Sequence, residues 1–467
     1  MRQGNGSVLM GEAATVDDDP RTPPPYAVEQ TTPLQENQTQ DRTATLAKRL
    51  RPTIFMLQLF GYFPAAVSGR KKRGWLLLAV WLAYIGVNLG IFGTSVYVTL
   101  SYYGLFGLWH LFTISSVING LKPAIALVNL LIFGLRLPAH RHMLALLSGL
   151  DASYRRALGT ETTVRCANAS LLLFSFIAGA SVLIIRVVEF HIAGEELGSS
   201  LINDVSILLV PIISIWDTLP LAYFVLVQGL ILHWIAALRA ALTRRIQAPK
   251  SRPQPLSFYY HKFLDLADVQ SGAGDLFGPW ILATLGWTLF TLCLTIYFAT
   301  KTPPLESMPK EIIGQLTMEE LESARITLRF NIVWSVTQVT VAALTIIVIC
   351  YIGTRINEET RTIMKPVLRF ASVEEESTES ARFQVSCFVY KMSTQYVWGA
   401  TVWRAFPLER SVFFTIASLI ATYAVLLLRF NNGVLIGDEK EREMIAIPTF
   451  LGNLTDAPFT NDTDGFL

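Results

Sequence analysis

The feature that most constrains this chain is a run without any Asp, Glu, Lys or Arg, from Gly74 to Leu121. A helix needs about 20 apolar residues to cross the hydrocarbon core of a bilayer. The run therefore has room for one spanning helix, a tight turn and most of a second. Only 16% of the 467 residues are charged, whereas about 25% is usual in soluble proteins. The sequence predicts an integral membrane protein.

Seven hydrophobic segments are long enough to span a bilayer, and they predict an all-α membrane protein with seven transmembrane helices. The last segment is uncharged from Ser411 to Leu428 and carries Thr422 and Tyr423 near its middle. Polar residues at that depth are typical of a helix that lines water rather than one that faces lipid alone. The predicted spans are 75–100, 112–135, 166–185, 205–238, 276–300, 330–354 and 411–430.

The distribution of Lys and Arg predicts the orientation, because basic residues collect in cytoplasmic loops. One set of loops is basic, and the opposite set is uncharged or acidic, as at Glu189, Glu195 and Glu196. This pattern predicts a cytoplasmic N-terminus and, with seven spans, an extracellular C-terminus. The basic loops contain Arg70–Arg73, Arg136, Arg141, Arg155, Arg156, Arg165, Arg244, Arg245, Lys250 and Arg252.

Both ends of the chain are predicted to be tails outside a helical domain at 51–430. Residues 1–50 are rich in Pro, Thr, Gln and Asp, which favours a disordered cytoplasmic tail, and residues 431–467 are predicted to form an extracellular tail. Between the first tail and the first span, Pro52–Pro64 is apolar but too short to cross the bilayer. We expect this segment to lie along the membrane interface.

Glycosylation sequons bear on the same topology. Asn453 and Asn461 each begin an Asn-X-Thr sequon in the C-terminal tail and are the predicted glycosylation sites. Two sequons in the N-terminal tail, at Asn5 and Asn37, point to the opposite orientation. Because sequons often arise by chance, the basic loops outweigh them.

Several classes of function are disfavoured by what the sequence lacks. It contains no metal-ligand spacing, phosphate-binding loop or nucleophile motif, so we predict neither an enzyme nor a metal or cofactor site. There is no basic run with interleaved aromatics beyond Arg70–Arg73, so we predict no nucleic-acid partner. The four cysteines lie in or beside hydrophobic segments or in basic loops, which predicts free thiols. Orientation and cysteines together disfavour a G-protein-coupled receptor.

The fourth predicted span contains a single acidic residue, Asp217, between Pro211 and Pro220. A carboxylate at that depth costs about 2.5–3.5 kcal/mol on insertion scales, so it is expected to face a wet cavity or a partner. Proline frees carbonyl groups in a membrane helix, which suits a kinked wall around a cavity. Two interpretations stay open: Asp217 binds a ligand, or it pairs with Lys122 of the second span.

The end of the last span resembles a family signature. Thr422, Tyr423 and Phe430 form the pattern TYxxxxxxF, and the last helix of the insect-type gustatory receptors typically ends TYxxxxxQF. Phe263–Leu282 is similar to that family's approach to its fifth span. The segments RINEETRTIMKPVLRF and FVYKMSTQYVWGATVWRAFPLERSVFF, which precede the last span, resemble the sugar-receptor branch. The resemblance is specific over about 260–430 and weak over 50–250.

This resemblance implies a tetrameric ligand-gated cation channel in the plasma membrane of chemosensory neurons. The partners it implies are membrane lipid and related subunits, in a homotetramer or in a heterotetramer with related gustatory receptors. The last helix of each subunit would line a shared pore, with Thr422 and Tyr423 in the wall and Phe430 as the gate. Arg429 departs from the family pattern, where Gln is usual. A ring of Arg side chains suits anion pores; alternatively, Arg429 extends to the outer membrane interface.

The ligand that the resemblance implies is a sugar, and a sugar site needs flat apolar surface together with hydrogen-bonding groups. Each candidate Trp has an alternative role as an anchor at the membrane interface. Lys122, Asp217 and Arg186 would also suit a charged ligand such as an amino acid. Three of the candidates share one helix face, because they lie at i, i+3 and i+7. The candidate ligand-binding residues are Trp216, Asp217, Trp287, Asn331, Trp334 and Gln338.

Two other classes of function remain as alternatives. A seven-helix chemoreceptor or co-receptor subunit would signal to cytoplasmic proteins without conducting alone, and a measured current separates it from a channel. A transporter would show internal repeats with interrupted helices in matching halves, and the sequence shows none. We therefore expect a gustatory-type channel.

Overall fold

Helices account for nearly all of the described chain. The computed structural model describes residues 46, 48–64, 74–106, 111–160, 165–197, 201–247, 256–300, 318–373, 379–394, 400–402 and 406–436. In chain order the elements are α1 (48–59), α2 (Gly74–Phe106), α3 (Leu111–Leu135), α4 (Leu137–Leu158), α5 (Arg165–Leu197), α6 (Leu201–Gln247), α7 (Leu256–Thr300), α8 (Met318–Thr362), α9 (Met364–Val373), α10 (Glu379–Thr394), β1 (Thr401–Val402), β2 (Phe406–Pro407) and α11 (Arg410–Ile436).

Apolar helical segments correspond in order to the seven predicted spans. Within the described ranges, two of them are shorter than a full span, Leu172–Ile185 in α5 and Arg410–Leu426 in α11. Each predicted span lies inside one helix, and the prediction of an all-α membrane protein is confirmed. The segments long and apolar enough to cross a membrane are Gly74–Ser101, Ser116–Leu135, Thr218–Arg245, Leu256–Tyr297 and Val336–Arg369.

Three helices continue well beyond the apolar segments that predict them. α6, α7 and α8 contain 47, 45 and 45 residues, so each is about 70 Å long and exceeds the hydrocarbon core of about 30 Å. Good helix formers sustain the extension, as in Ala240–Gln247 of α6. The extended ends pack with shorter elements. We call this part the base: α4, α9, α10, the β1–β2 hairpin, and the ends of α6, α7 and α8 that contact them.

The segment before the first span is built into the bundle. α1 ends in a Schellman motif, in which Gly61 has φ +77° and the amides of Gly61 and Tyr62 donate to the carbonyls of Gln58 and Leu57. A side chain at position 61 would also strike the ring of Tyr84 on α2. Glycine is therefore needed here both for its backbone conformation and for the close approach of α1 to α2.

Described helices extend a few residues into both predicted tails. Residues 46 and 48–50 are helical, and Leu46 and Leu50 are buried. Residues 431–436 continue α11. The boundaries of the domain and the tails stay predictions. Residues 1–45 and 437–467 lie outside the described part of the chain. The interfacial position of Pro52–Pro64 stays a prediction.

A short β-hairpin in the base precedes α11. β1 and β2 pair antiparallel, with Val402 opposite Phe406. Next to the hairpin, Gly353 of α8 lies so close to Leu408 that any side chain at position 353 would clash with it. Glycine at this position lets α8 pack directly against the segment that leads into α11.

An aromatic cluster fills the bundle beside the base. His140 of α4 stacks on Phe133 with ring centroids 4.9 Å apart, and it packs against Phe63 at 5.1 Å and Tyr223 at 5.7 Å. Burial, together with the nearby charge of Arg136, lowers the pKa of His140 to about 3. His140 is therefore neutral at physiological pH and packs as an aromatic ring.

Candidate ligand site

A small cavity lies between α3, α7 and α8, within the apolar part of each helix. Its volume is about 40 Å³, which is room for about three water molecules at roughly 10–15 Å³ each. The lining residues follow helical spacing, so each helix presents one face to the cavity. They are Lys122, Ile125 and Asn129 of α3, Thr284, Trp287, Thr288 and Thr291 of α7, and Gln338, Val341, Ala342 and Thr345 of α8.

Threonine residues form the α7 wall. Thr284, Thr288 and Thr291 lie at i, i+4 and i+7, and all are buried. The hydroxyl of Thr288 donates to the carbonyl of Thr284 at 2.9 Å, which is a common way to satisfy a hydroxyl inside a membrane helix. The hydroxyls of Thr284 and Thr291 have no hydrogen-bond partner. This wall therefore offers two unpartnered hydroxyls.

Two amide side chains complete the set of unpartnered groups. Gln338 is 3% exposed, and neither its Nε2 nor its Oε1 has a hydrogen-bond partner; the Oδ1 of Asn129 has none either. An unpaired buried polar group costs about 1–3 kcal/mol, and folded proteins contain few of them. Such groups occur elsewhere in the described chain too, as at Gln228 and Gln270, but these four residues line one cavity that has room for water or part of a ligand. We call Asn129, Thr284, Thr291 and Gln338 the polar ring.

Lys122 is the charged member among the lining residues that the structure describes. Its side chain is buried, and a buried cation within the membrane is costly and typically functional. The pairing of Lys122 with Asp217 stays a prediction, because the side chain of Asp217 lies outside the described part of α6.

Two of the six predicted ligand-binding residues meet at the cavity. Trp287 and Gln338 both line it. Trp216 is not among the lining residues: its Nε1 donates to the carbonyl of Phe60 at 3.0 Å, and its ring packs on the edge of Tyr84 with centroids 4.9 Å apart. Trp216 of α6 therefore packs against α2 and the end of α1. The remaining predicted residues, whose side chains lie outside the described part, are Asp217, Asn331 and Trp334.

Most of the cavity wall was not predicted from the sequence. The threonine residues of α7 repeat at helical spacing in an otherwise apolar span, and that pattern could have identified them. Asn129 follows Lys122 by seven residues, and Thr345 follows Gln338 by seven, so each pair shares a helix face. The same spans contain polar residues that do not line the cavity, such as Ser116 and Thr340, so spacing alone does not show which face the cavity occupies.

α8 connects the cavity wall to the start of α11. Asn357 donates from Nδ2 to the carbonyl of Leu408 at 3.0 Å and accepts from the amide of Ala400 at 2.8 Å. Glu358 pairs with Arg410, the first residue of α11, at 2.6 Å. Asn357 lies about 18 Å along α8 from the last lining residue. A displacement of α8 at the cavity would therefore act on the start of α11.

α11 is exposed over most of its surface. Every side chain from Ser411 to Leu426 is exposed or half-buried, although the helix contacts α7 and α8. Ser411, Thr415, Ser418 and Thr422 lie at i, i+4, i+7 and i+11 and so share one face. We call these four residues the hydroxyl stripe. Such a stripe suits a water-filled path or a neighbouring subunit better than lipid.

The other predicted pore and modification residues are only partly described. Tyr423 is half-buried beside the hydroxyl stripe. Arg429 and Phe430 belong to α11, but their side chains lie outside the described part. Asn453 and Asn461 fall outside the described residues altogether, so these assignments stay predictions.

Cysteine and metal-ligand chemistry take no part in the described site. Cys293, Cys350 and Cys387 are free thiols, and the side chain of Cys166 lies outside the described part. Among the residues the structure describes, no three His, Cys, Asp or Glu side chains cluster as metal ligands would.

Known proteins similar to this chain identify its family. Residues 50–431 match the family described as 7tm chemosensory receptor. The probable G-protein coupled receptor egl-47 of Caenorhabditis elegans is 35% identical over 399 residues, which cover 83% of this chain and 75% of that protein. The insect olfactory receptor OR5 from Machilis hrabei, solved in complex with eugenol, has a TM-score of 0.58 at 11% identity, covering 83% of this chain and 99% of that one.

The olfactory-receptor structure shows a shared fold, and the match over residues 50–431 extends through all seven predicted spans. Both findings confirm the resemblance to insect-type chemosensory receptors at the level of the family, without selecting its sugar-receptor branch. This chain belongs to the 7tm chemosensory receptor family.

Proposed function

We propose that this chain is a gustatory-type ligand-gated ion channel, opened by a small polar ligand of the sugar class. The observation that carries the proposal is the polar ring beside Trp287, since each of its four members has a buried side-chain polar atom without a hydrogen-bond partner inside the membrane-spanning part. The ring offers both donors and acceptors. Sugar hydroxyl groups supply the complementary mixture, and the apolar face of a sugar can pack on the Trp ring.

The small size of the cavity supports a link between binding and motion. Pockets for small molecules usually measure about 300–1,000 Å³, whereas this cavity is about 40 Å³. A sugar can enter only if α3, α7 and α8 move apart. Ligand binding would then favour a wider arrangement of these helices over the narrow one, which is how a ligand shifts a conformational equilibrium.

The contacts of α8 offer a route from that motion to α11. Asn357 and Glu358 hold the segment that begins α11, and the cavity wall lies on the same helix. We propose that four subunits place the hydroxyl stripe of α11 around a shared pore in the plasma membrane of a chemosensory cell. Exposure of the stripe in the single chain supports this assembly.

Ion selectivity depends on the end of α11. The family resemblance favours a cation channel, with Thr422 and Tyr423 in the wall and Phe430 as the gate. Arg429 follows Thr422 by seven residues, so the helical repeat puts the two positions on one face. Rings of Arg suit anion pores, and a reversal potential measured under ion substitution decides between the two selectivities.

The proposed topology places the N-terminus in the cytoplasm and glycans on Asn453 and Asn461. The basic loops support this orientation. Removal of both sequons, by Asn453→Gln with Asn461→Gln, should abolish the mobility shift that a glycosidase produces. A shift that survives in the double variant would place the glycans elsewhere, as on Asn5 or Asn37, and would reverse the orientation.

The test of function is whole-cell current in cells that express this chain alone, during perfusion with glucose, fructose, sucrose and trehalose. Amino acids are included because Lys122 would suit a charged ligand. A sugar-evoked current that reverses with the cation gradient is the expected result. Surface expression is measured in the same cells, so that a silent, surface-exposed chain counts against a channel that works by itself.

The control variant for this experiment is Thr337→Val. Thr337 precedes Gln338 on α8, does not line the cavity, and donates its hydroxyl to the carbonyl of Val333 at 2.9 Å. Its sugar response should match that of the parent chain. The variant it controls for is Gln338→Met, which removes the amide from the polar ring and should weaken the response. An equal loss in both variants would show that the α8 helix as a whole, rather than the polar ring, is sensitive to substitution.

A second function is favoured by the name of the nematode relative, a probable G-protein coupled receptor. In this alternative the chain is a seven-helix receptor or co-receptor subunit that signals through cytoplasmic proteins without conducting alone. A ligand-evoked second-messenger change without membrane current, blocked by inhibitors of G proteins, would support it. A current that persists in excised patches without nucleotides would exclude it.

A further inference from the structure

A cation from the end of α3 binds α7 next to its internal proline, Pro279. Pro279 of α7 has no amide hydrogen, so it cannot donate to the carbonyl of Asp275 four residues earlier. The guanidinium of Arg136, which follows α3, donates to that carbonyl at 2.6 Å and reaches the carbonyl of Leu276 at 3.5 Å. Arg136 thus supplies the hydrogen bond that the proline removes.

A similar replacement of a missing backbone donor occurs in α6. Pro220 removes the helical donor for the carbonyl of Trp216. The hydroxyl of Tyr62, just after α1, donates to that carbonyl, and the ring of Tyr62 packs edge-on against Phe133 of α3 at 5.2 Å. In both cases a group at or against the end of α3 supplies the hydrogen-bond donor that a proline removes from the helix.

Arg136 joins α3 and α7, two of the three helices that line the cavity. Asn129, a lining residue of α3, is about 10 Å along the helix from Arg136, and Thr284 of α7 is about 13 Å from Asp275. We call the contact of Arg136 with the carbonyls of Asp275 and Leu276 the joint. Beside the joint, a side chain at Gly274 would come within 3.2 Å of the Thr401 hydroxyl in β1. The joint therefore lies at the base, next to the hairpin that leads into α11.

We propose that Arg136 is a positioning residue that fixes α3 to α7 at the base, so that the cavity widens only by separation of these helices at their other ends. This inference rests on the proposed function insofar as the cavity is the ligand site. Because the helices are fixed at one end, a small separation at the cavity produces a larger separation at their other ends. Without the joint, the walls would separate along their whole length and the cavity would open without a ligand.

The test uses the full chain in lipid nanodiscs, with Thr284→Cys as a reporter of cavity opening and no ligand present. The rate at which a water-soluble maleimide modifies position 284 is measured by mass spectrometry of that peptide. Adding Arg136→Gln should raise the rate by about tenfold, since a charge-assisted hydrogen bond is lost. Arg136→Lys, which keeps one donor and the charge, should raise it less and provides a milder variant.

Pro279→Ala distinguishes positioning from general stability. With alanine at position 279 the helix supplies its own donor to the Asp275 carbonyl and competes with Arg136, so Pro279→Ala alone should raise the rate. Adding Arg136→Gln to Pro279→Ala should then change the rate by less than about twofold, because the contact between α3 and α7 is already weakened. Native Cys350 of α8 is buried and reports global loosening in the same sample. Its modification rate should not follow that of position 284.

Three results would overturn the proposal. Position 284 could react at the parent rate in both Arg136 variants; Arg136→Gln could act equally with and without the Pro279→Ala substitution; or Cys350 could accelerate in parallel. Because the labelling needs no ligand and no current, it separates the two proposals. A chain that never responds to sugars but shows the expected labelling would refute the function and keep the joint.

Discussion

Two contacts of the base, at Asn357 and Arg136, differ from the polar ring of the cavity in how their polar groups are satisfied. At the base, Asn357 makes two buried hydrogen bonds to the segment before α11, and Arg136 supplies the donor that Pro279 lacks. Around the cavity, each member of the polar ring has a buried polar atom without a partner. Satisfied buried networks rigidify a structure, whereas unsatisfied ones are unstable until something binds. Gln270, on the base end of α7, also has an unpartnered amide, so the contrast concerns these two contacts: it indicates rigid contacts at Asn357 and Arg136 and a cavity that is stabilised by occupancy.

The largest expected effect comes from breaking the base at Asn357. Asn357→Ala should lower the free energy of unfolding by about 3 kcal/mol, because it leaves the buried carbonyl of Leu408 and the amide of Ala400 unpaired. Thermal unfolding of the purified chain in detergent measures the loss. The control is Thr360→Val, since Thr360 is also buried but donates to the Ile356 carbonyl of its own helix. An equal loss in both variants would contradict a special role of Asn357.

The next effect is pH dependence from His140 beside the base. Its pKa is lowered to about 3 in the folded chain, whereas an unfolded His has a pKa of about 6.5. The unfolded state therefore binds one more proton between these values, so stability is complete above about pH 6.5 and declines as pH falls. From pH 7 to pH 5 the loss should be about 2 kcal/mol.

His140→Phe should remove that part of the pH dependence while keeping a ring against Phe133. The measurement is the melting temperature of parent and variant at both pH values. His142, exposed on the same helix, gives the matched control in His142→Phe. A parent that is equally stable at pH 5 and pH 7 would show that His140 is not held neutral by burial.

A substitution at the cavity is expected to raise the stability of the chain rather than lower it. Gln338→Met has a similar length and removes two unpartnered polar atoms, so stability should rise by about 1 kcal/mol. The concentration of sugar needed for half-maximal current should rise about tenfold or more, since the ligand loses its partner. The melting temperature checks the rise in stability, and dose–response curves of the same preparation check the rise in the half-maximal sugar concentration. A variant that is less stable would show that Gln338 is already satisfied.

The smallest effect should come from a surface ion pair of the base. Arg361 donates to Glu409 at 2.6 Å, but its side chain is 71% exposed. Exposed pairs contribute little, so Arg361→Ala should cost less than about 0.5 kcal/mol and even less at high salt. Melting curves at low and high salt test this. A loss approaching that of Asn357→Ala would mean that charge, rather than buried hydrogen bonding, holds the hairpin.

The fold was largely predictable because spanning length and hydropathy locate helices in a membrane. The extension of α6, α7 and α8 into the base was not, since hydropathy falls there while helix formation continues. The site was predicted only at Trp287 and Gln338. Trp216 looks equally suitable in sequence, yet its indole bonds to Phe60. Which side of a buried helix faces a cavity depends on tertiary contacts that helical periodicity does not contain.

The central claim is that the polar ring binds the activating ligand. The most direct test is a cryo-electron microscopy map of the chain in lipid nanodiscs, with and without a saturating concentration of the sugar that evokes current. We predict ligand density between Trp287 and Gln338, a widened cavity, and unchanged contacts of Asn357 and Arg136. Ligand density elsewhere, with the cavity still narrow, would contradict the account.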